Sequence, residues 1–507
     1  MVTPEDEAYL CTNGITIAEV EKQRAALIHG IPYANLVTAA TVGNGVESYT
    51  EAERKELVAK YDEIRKKSDI VKFVPASGAA TRMFKHLKQF SENFDHEEEA
   101  INTYLNKKEN ALTKEFFLHF KDFAFTNLVR KKIRGKYPDF KKMTKGPRFK
   151  VVAEMLLKNS GLGYEDLPKG LVPFHKYIKY YTTAFEEQLY ETAFYAASSE
   201  GAKLHFTFAE EHLDKFKEVY TDVKKRVTKK TKTDFAITYS FQKKETNTIA
   251  VDNQFNLIRT AAGQLLLRPS GHGALLSNLN DIDADIVFIK NIDNVVSEDY
   301  VPEIAHYKKL LAGKLVDTQK QVFKFIQNID EGVDLEKLNE IKSFVWNNLY
   351  CKSKPETAQQ LRAILNRPIR VCGVVQNTGA PGGGPFWVRD NDTDSLQIVE
   401  AAQIDINEAS QKKSLEEATY FNPVDLVCGV RDYQGKKFDL LDFRDADSGF
   451  ITQKSYNGVP IKVLELPGLW NGAMARWNTI FVEVPLSTFS PVKTVNDLIK
   501  KVHRPLA

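Results

Sequence analysis

The stretch PSGHGALLSNLNDIDADIVFIKNIDN, Pro269 to Asn294, sets two glycines around one histidine and then runs through an apolar segment that ends on acid and amide. Gly271 and Gly273 keep side chains away from a planar ligand, and His272 offers a ring nitrogen as donor. A glycine turn around a hydrogen-bonded histidine has the same composition. DIVFIKN, residues 285–291, has the unbroken apolar character of a central strand buried on both faces. Asp293 and Asn294 then emerge at the carboxyl end of a strand, where open α/β sheets gather their ligands. One carboxylate there could hold Mg²⁺ against phosphate oxygens, and it could equally cap a helix.

Upstream, IVKFV at Ile70 to Val74 breaks into ASGAAT and restarts as the helical RMFKHLKQF. The loop Pro75 to Met83 has the makings of a phosphate cradle, since small residues bring backbone N–H groups close to an anion at a helix start. Arg82 on its rim can pair with phosphate oxygens. A tightly packed turn would use the same small residues. Further strands are expected at 203–209, 234–241, 285–291, 368–375 and 461–466, with helical stretches between the earlier ones, which indicates an α/β sheet with ligand loops at strand ends. Capping boxes at Thr16 with Glu19 and Thr50 with Glu53 mark a helical lead-in over 1–69. The main α/β domain is expected over 70–500, with the charged helical segment 91–165 inserted within it.

The chain has 507 residues, 43% hydrophobic, which is enough for two or three structural units. Lys plus Arg at 70 against Asp plus Glu at 67 leaves a net charge of +3, far from the cation excess of a dedicated nucleic-acid binder. The basic runs at 130–136 and 224–232 read as solvated helix ends or loops. Cys11, Cys351, Cys372 and Cys428 form no CxxC pair, so neither zinc nor a disulfide framework is indicated, and a reducing cytoplasm fits best. His205 and His212 read as a strand residue and a surface helix residue rather than a metal pair. No signal-like amino terminus or membrane-length apolar run is present, so no membrane association is expected.

These segments together resemble the nucleotidyltransferases that make nucleotide sugars, in particular the UDP-glucose and UDP-N-acetylhexosamine pyrophosphorylases. PASGAATRM is similar to their first glycine loop, and PSGHG with VFIKNIDN to their PxGHG loop and its strand. GAPGGGPFWV, SLQIVEAAQID, YFNPVDLV, ITQKSYNGVPIKVLELPGLWNGAM and VPLSTFSPVKTVNDLI follow in the family's order, from about residue 70 to 500. PKG at Pro168 to Gly170 resembles a family PK pair, with 91–165 lying between it and the first loop. The nearest likeness is to a bacterial branch known as a domain of unknown function, which supplies no activity of its own.

The resemblance implies a GT-A-like, Rossmann-like nucleotidyltransferase sheet and attack by a sugar 1-phosphate on the α-phosphorus of a nucleoside triphosphate, UTP favoured, releasing pyrophosphate. By the same resemblance, Ser77, Gly78, Ala79, Ala80, Thr81, Arg82 and Lys169 hold the triphosphate. Gly271, His272 and Gly273 hold base and ribose. Asp293 carries Mg²⁺, Lys493 bridges the reacting phosphates, and Gly383, Glu400, Asn422 and Lys454 meet the sugar phosphate. A glycosyltransferase using a finished nucleotide sugar shares such a sheet. Ser77 and Ala80 replace family glycines and ELPGLWNGAM departs from the family segment, which leaves room for a non-catalytic nucleotide-sugar binder. Ala80 adds a methyl where the backbone could need positive φ.

Overall fold

The computed structural model describes residues 2–506 apart from Ser77, Ala79, Ala380 and Pro381. It divides into two compact units, one made of residues 1–73, 240–290 and 307–486, the other of 74–239, 291–306 and 487–507. The chain thus passes from the first unit to the second at Phe73 and again at Lys290.

Five strands organise the first unit: β1 (Ile70–Pro75), β2 (Ile286–Lys290), β3 (Ile369–Gln376), β4 (Asp425–Gly429) and β5 (Asn478–Glu483). β2 is buried along its whole length, as its apolar run requires. It pairs in parallel with β1, Ile70 opposite Ile286, and antiparallel with β4, Val287 opposite Cys428. β4 in turn pairs antiparallel with β3, and β3 runs parallel to β5 with Ile369 opposite Asn478. β1, β2, β3 and β5 therefore share one direction and their carboxyl ends lie on one edge. Phe73, Val287, Ile289, Leu426, Cys428 and Phe481 belong to the core this arrangement encloses. Burial pushes the Cys372 thiol up to about 11 and Cys428 higher still, so both are inert small hydrophobes.

Residues 1–69 are not purely helical. Pro4–Thr12, Ile17–His29 and Glu51–Ile64 are helices, but Leu36–Ala39 pairs with the Gly384–Asp390 strand, and Gly45–Glu47 extends the parallel set beside β5. Strands of two to four residues are too short to show an alternating pattern, which is why the sequence read as a helical lead-in. Thr50 and Glu53 make the full reciprocal cap; Thr16 accepts from the Glu19 amide alone. The Glu51–Ile64 helix lies so close to the Val301–Glu331 helix that a Cβ on Gly313 would sit 2.0 Å from the Leu57 carbonyl.

In the second unit every regular element between 91 and 165 is helical. These helices enclose a core of rings, with Phe116 and Phe123 stacked at 4.9 Å and Phe123 and Phe125 at 5.1 Å. The basic run at 224–232 closes the Leu213–Thr231 helix, and its Arg226 is bound by both oxygens of Glu186. Lys229 and Lys230 sit in the last turn, where the helix dipole favours cations. Among the described residues no helix is long and apolar enough to cross a membrane.

Candidate functional site

The second unit draws together four segments that are far apart in sequence. The Lys169 amide donates to the Gly78 carbonyl at 3.1 Å, and the Ala80 amide donates to Leu167 at 3.0 Å, so LPKG is laced to the first glycine loop. The Lys169 ammonium reaches Asp293 Oδ2 at 2.5 Å. The Ile292 amide donates to Pro75, and the Val492 amide to the Asp293 carbonyl at 3.2 Å, while Asn294 bridges Pro491. The Ser490 amide is held by Asn294 Oδ1 at 2.9 Å, and the Val495 amide by the Met83 carbonyl at 3.0 Å. Gly78, Ala80 to Met83, Lys169, Asp293 and Pro491 to Val495 are thereby neighbours in one backbone network.

The side chains in this cluster divide into those turned outward and those already engaged. Gly78, Arg82 and Lys493 are exposed, and nothing lies within 4 Å of the Cβ position on Gly78. Ala80, expected among the triphosphate contacts, is fully buried and its N–H is committed to Leu167. Its backbone opens the 3₁₀ turn Ala80–Arg82 and is absent from the positive-φ residues, so the methyl costs nothing there. Thr81 donates its hydroxyl to the Glu165 carbonyl at 3.2 Å. Ser77 and Ala79 lie outside the described residues.

Asp293 is the group to test for a cation. Among the described residues its Oδ1 has no partner, whereas Oδ2 is paired with Lys169. No cluster of three metal-ligating side chains occurs among the described residues. One free carboxylate oxygen suits Mg²⁺, which keeps several waters and takes much of its coordination from substrate phosphates. It does not suit an all-protein cage.

The first unit holds the remaining expected residues, organised around a stacked pair. The His272 ring lies on Trp470 at 4.3 Å and 10°, and its Nδ1 accepts the Leu469 N–H at 3.0 Å. Accepting at Nδ1 places the neutral ring's proton on Nε2, which faces Glu400 Oε1 at 3.9 Å. Desolvation holds the imidazole neutral, down to about 4. Burial raises the Glu400 carboxyl, the Asn471 amide offsets part of that, and the charge of Glu465 adds to it. Lys454 pairs with Glu465 at 3.0 Å.

The glycines of PSGHG, expected at base and ribose, are close-packed on their Cβ sides. A Cβ on Gly273 would lie 2.1 Å from the Pro467 carbonyl, and one on Gly271, at φ +79°, 2.8 Å from Glu465 Oε2. Their Cβ sides accommodate the ELPG turn. Asn422, expected at the sugar, is buried with its amide spent on the Gly373 carbonyl at 2.8 Å and the Val424 N–H at 3.0 Å. It pins Val424 at φ +57°, a conformation β-branched residues avoid. Gly383 approaches Ile398 and Glu400 where a Cβ would reach 2.6 and 3.6 Å, which places its loop beside the expected sugar carboxylate.

Three residues of this cluster were not foreseen: Glu465, Trp470 and Arg370. Arg370 is fully buried in β3 and donates to Thr479 at 2.8 Å and to the Trp470 carbonyl at 2.6 Å, so it fixes the residue on which His272 stacks. A guanidinium inside the apolar run PIRVCGVV was the available signal, because a buried charge needs partners.

The chain is similar in fold to the uridine diphosphate N-acetylglucosamine pyrophosphorylase of Trypanosoma brucei, solved in complex with inhibitor, at 10% identity over 98% of this chain and 79% of that one, TM-score 0.50. Weaker likenesses include a T. brucei UDP-glucose phosphorylase (12% identity, 97% and 77% covered, TM-score 0.45) and a UDP-glucose-bound G45Y mutant of the Leishmania major UDP-glucose pyrophosphorylase (11%, 97% and 77%, 0.43). No curated protein matches the sequence. The family model described as Domain of unknown function (DUF4301) matches residues 3–504, and the chain therefore belongs to that family.

Proposed function

We propose that the protein is a sugar-1-phosphate nucleotidyltransferase, transferring a nucleoside monophosphate from a triphosphate, UTP favoured, to a sugar 1-phosphate with release of pyrophosphate. The carrying observation is the convergence of Gly78, Arg82, Lys169, Asp293 and the Pro491–Lys493 backbone in one unit, where the exposed Arg82 and Lys493 share a backbone network with a carboxylate that has one oxygen unpartnered among the described residues. The fold likeness and the shared direction of β1, β2, β3 and β5 support a GT-A-like reading of the sheet. On this reading 91–165 is an insertion whose two flanks, the first loop and LPKG, are laced together by hydrogen bonds.

The attacking phosphate monoester is largely dianionic at neutral pH, so no general base is required. What the protein must do is align two anions and neutralise charge gathering at phosphorus. Arg82 would grip the triphosphate, and Lys169, fixed by Asp293, would stand at its phosphate oxygens. Lys493 would neutralise charge at the reacting phosphates. Asp293 would hold Mg²⁺ through its free oxygen, and the ion would supply charge neutralisation when bound. In the first unit, Glu400 is the candidate acceptor for sugar hydroxyls and Lys454 a phosphate contact once drawn from Glu465, whereas Asn422 acts through the loop it holds.

The test is a matrix of nucleoside triphosphates against sugar 1-phosphates, scored for pyrophosphate with Mg²⁺ present and absent. Metal-dependent release that requires both substrates supports the reading. Product formation from a finished nucleotide sugar and an acceptor, without pyrophosphate, would assign a glycosyltransferase instead.

A further inference from the structure

At the amino ends of β3 and β5, opposite the edge where the Asn377–Gly383 loop leaves β3, a second group of cations gathers in excess of the carboxylates around it. A cavity of about 230 Å³ is lined by Arg367, two residues before β3, and by Arg476 and Trp477, just before β5. It adjoins a wider cleft lined by Lys352 and Lys354, and the two share Cys351, Arg367 and Thr393. Among the described residues neither Arg367 nor Arg476 has a carboxylate partner; the Arg367 Nε donates only to the Ala363 carbonyl. Asp394 on the cleft wall is already taken by both forks of Arg389, at 2.7 and 2.9 Å; Asp390 lines the inner cavity and Asp392 the cleft, both exposed to solvent, which leaves five cations against three carboxylates: Lys352, Lys354, Arg367, Arg389 and Arg476 against Asp390, Asp392 and Asp394. Lys352 lies over the Trp387 ring at 3.8 Å, which fixes an ammonium at the cleft wall.

Trp477, which also lines the cavity, is 3% exposed and forms its apolar wall. Burial, and to a lesser degree the like charge of Arg476, draws Arg367 below its usual range. An anion between the two guanidinium groups would relieve their repulsion, because planar guanidinium forks match phosphate oxygens.

We propose that this cavity is a binding site for a phosphate group, distinct from the nucleotide-binding elements and independent of the reaction assigned above. Its size suits orthophosphate or the terminal group of a small phosphorylated molecule. The site stands at the amino ends of strands whose carboxyl ends lead into the expected substrate loops, so an anion there would act on β3 and β5 rather than on reacting atoms.

Calorimetric titration with inorganic phosphate, and separately with pyrophosphate, tests this on wild type, on Arg367→Gln with Arg476→Gln, and on Arg82→Gln with Lys493→Ala. The expected result is saturable phosphate binding that survives in the Arg82/Lys493 variant and weakens at least tenfold in the Arg367/Arg476 variant. Pyrophosphate binding as tight as phosphate would identify a polyphosphate-accepting cleft that includes Lys352 and Lys354. Tighter orthophosphate would confine the site to the inner cavity. In phosphate-free buffer the Arg367/Arg476 variant should melt no lower than wild type, since removing one or both like charges relieves repulsion. Should that variant fold poorly, Arg476→Gln alone, whose side chain is exposed, carries the same expectation. Absence of saturable binding to wild type, equal binding to the cavity variant, or loss confined to the Arg82/Lys493 variant would overturn the proposal.

Discussion

The two glycine-rich loops look alike in sequence and behave differently in the fold. PSGHG in the first unit is packed against its own protein: Gly271 and Gly273 face Glu465 and Pro467, and His272 is held neutral on Trp470. Gly78 in the second unit is exposed with nothing within 4 Å of its Cβ position, and it shares a backbone network with Arg82 and the Lys169–Asp293 pair. The first is a rigid platform whose shape is fixed by backbone contact. The second presents charge that a phosphate chain could rearrange. A glycine in sequence therefore says that something comes close; only the fold says whether it is protein or ligand.

If the open loop is the phosphate end, Asp293→Asn should produce the largest loss, about 10²–10⁴ in turnover, because metal-assisted charge stabilisation is a several-kcal/mol effect. Circular dichroism should show the variant folded; unchanged Mg²⁺ dependence would remove Asp293 from the mechanism. Lys493→Ala should lower pyrophosphate release by about 10²-fold while weakening nucleotide binding far less, since its cation matters where charge develops. Lys493→Arg should recover only part of the rate, the fork being unable to replace a point charge.

The packed platform should respond in stability first. Arg370→Met orphans the Trp470 carbonyl and should cost about 2–3 kcal/mol in chemical denaturation, with altered Trp470 fluorescence. Asn422→Ala should cost about 1–3 kcal/mol by releasing Val424 and the Gly373 carbonyl. A loss of sugar affinity at unchanged stability would instead restore Asn422 to the ligand. The smallest effect concerns pH. His272 is protonated at about 4 in the folded chain and near 6.5 unfolded. Its contribution is therefore complete above pH 6.5 and lost as pH falls toward 4, about 1–2 kcal/mol after allowing for partial exposure. His272→Gln should flatten that part of the stability curve.

Apolar runs made much of the fold readable. DIVFIKN and PIRVCGVV became buried strands, and IVKFV continued into the open loop as its small residues implied. β4 and β5 escaped notice, because DLVCG and NTIFVE are short and carry no turn chemistry of their own. The pairing of β4 antiparallel between two parallel strands is set by long-range register, which no local pattern encodes. At the candidate site, position was legible: Asp293 follows a buried strand, and Lys169 returns to the first loop. The site was misread where one composition serves two purposes. Asn422 and Ala80 turned inward, and Trp470 and Glu465 mattered through neighbours that only the folded chain supplies.

The central claim is that the open loop, Lys169, Asp293 and Lys493 act as one phosphate-handling centre. Pre-steady-state measurement of pyrophosphate release, with a triphosphate and sugar 1-phosphate pair found active in the substrate matrix, tests it most directly when Asp293→Asn, Lys493→Ala and the double variant are compared. The account predicts that the double variant loses little more than the worse single one, because the two groups serve the same charge in the same step. Fully multiplicative losses, or pyrophosphate release as fast in Lys493→Ala as in wild type, would contradict it.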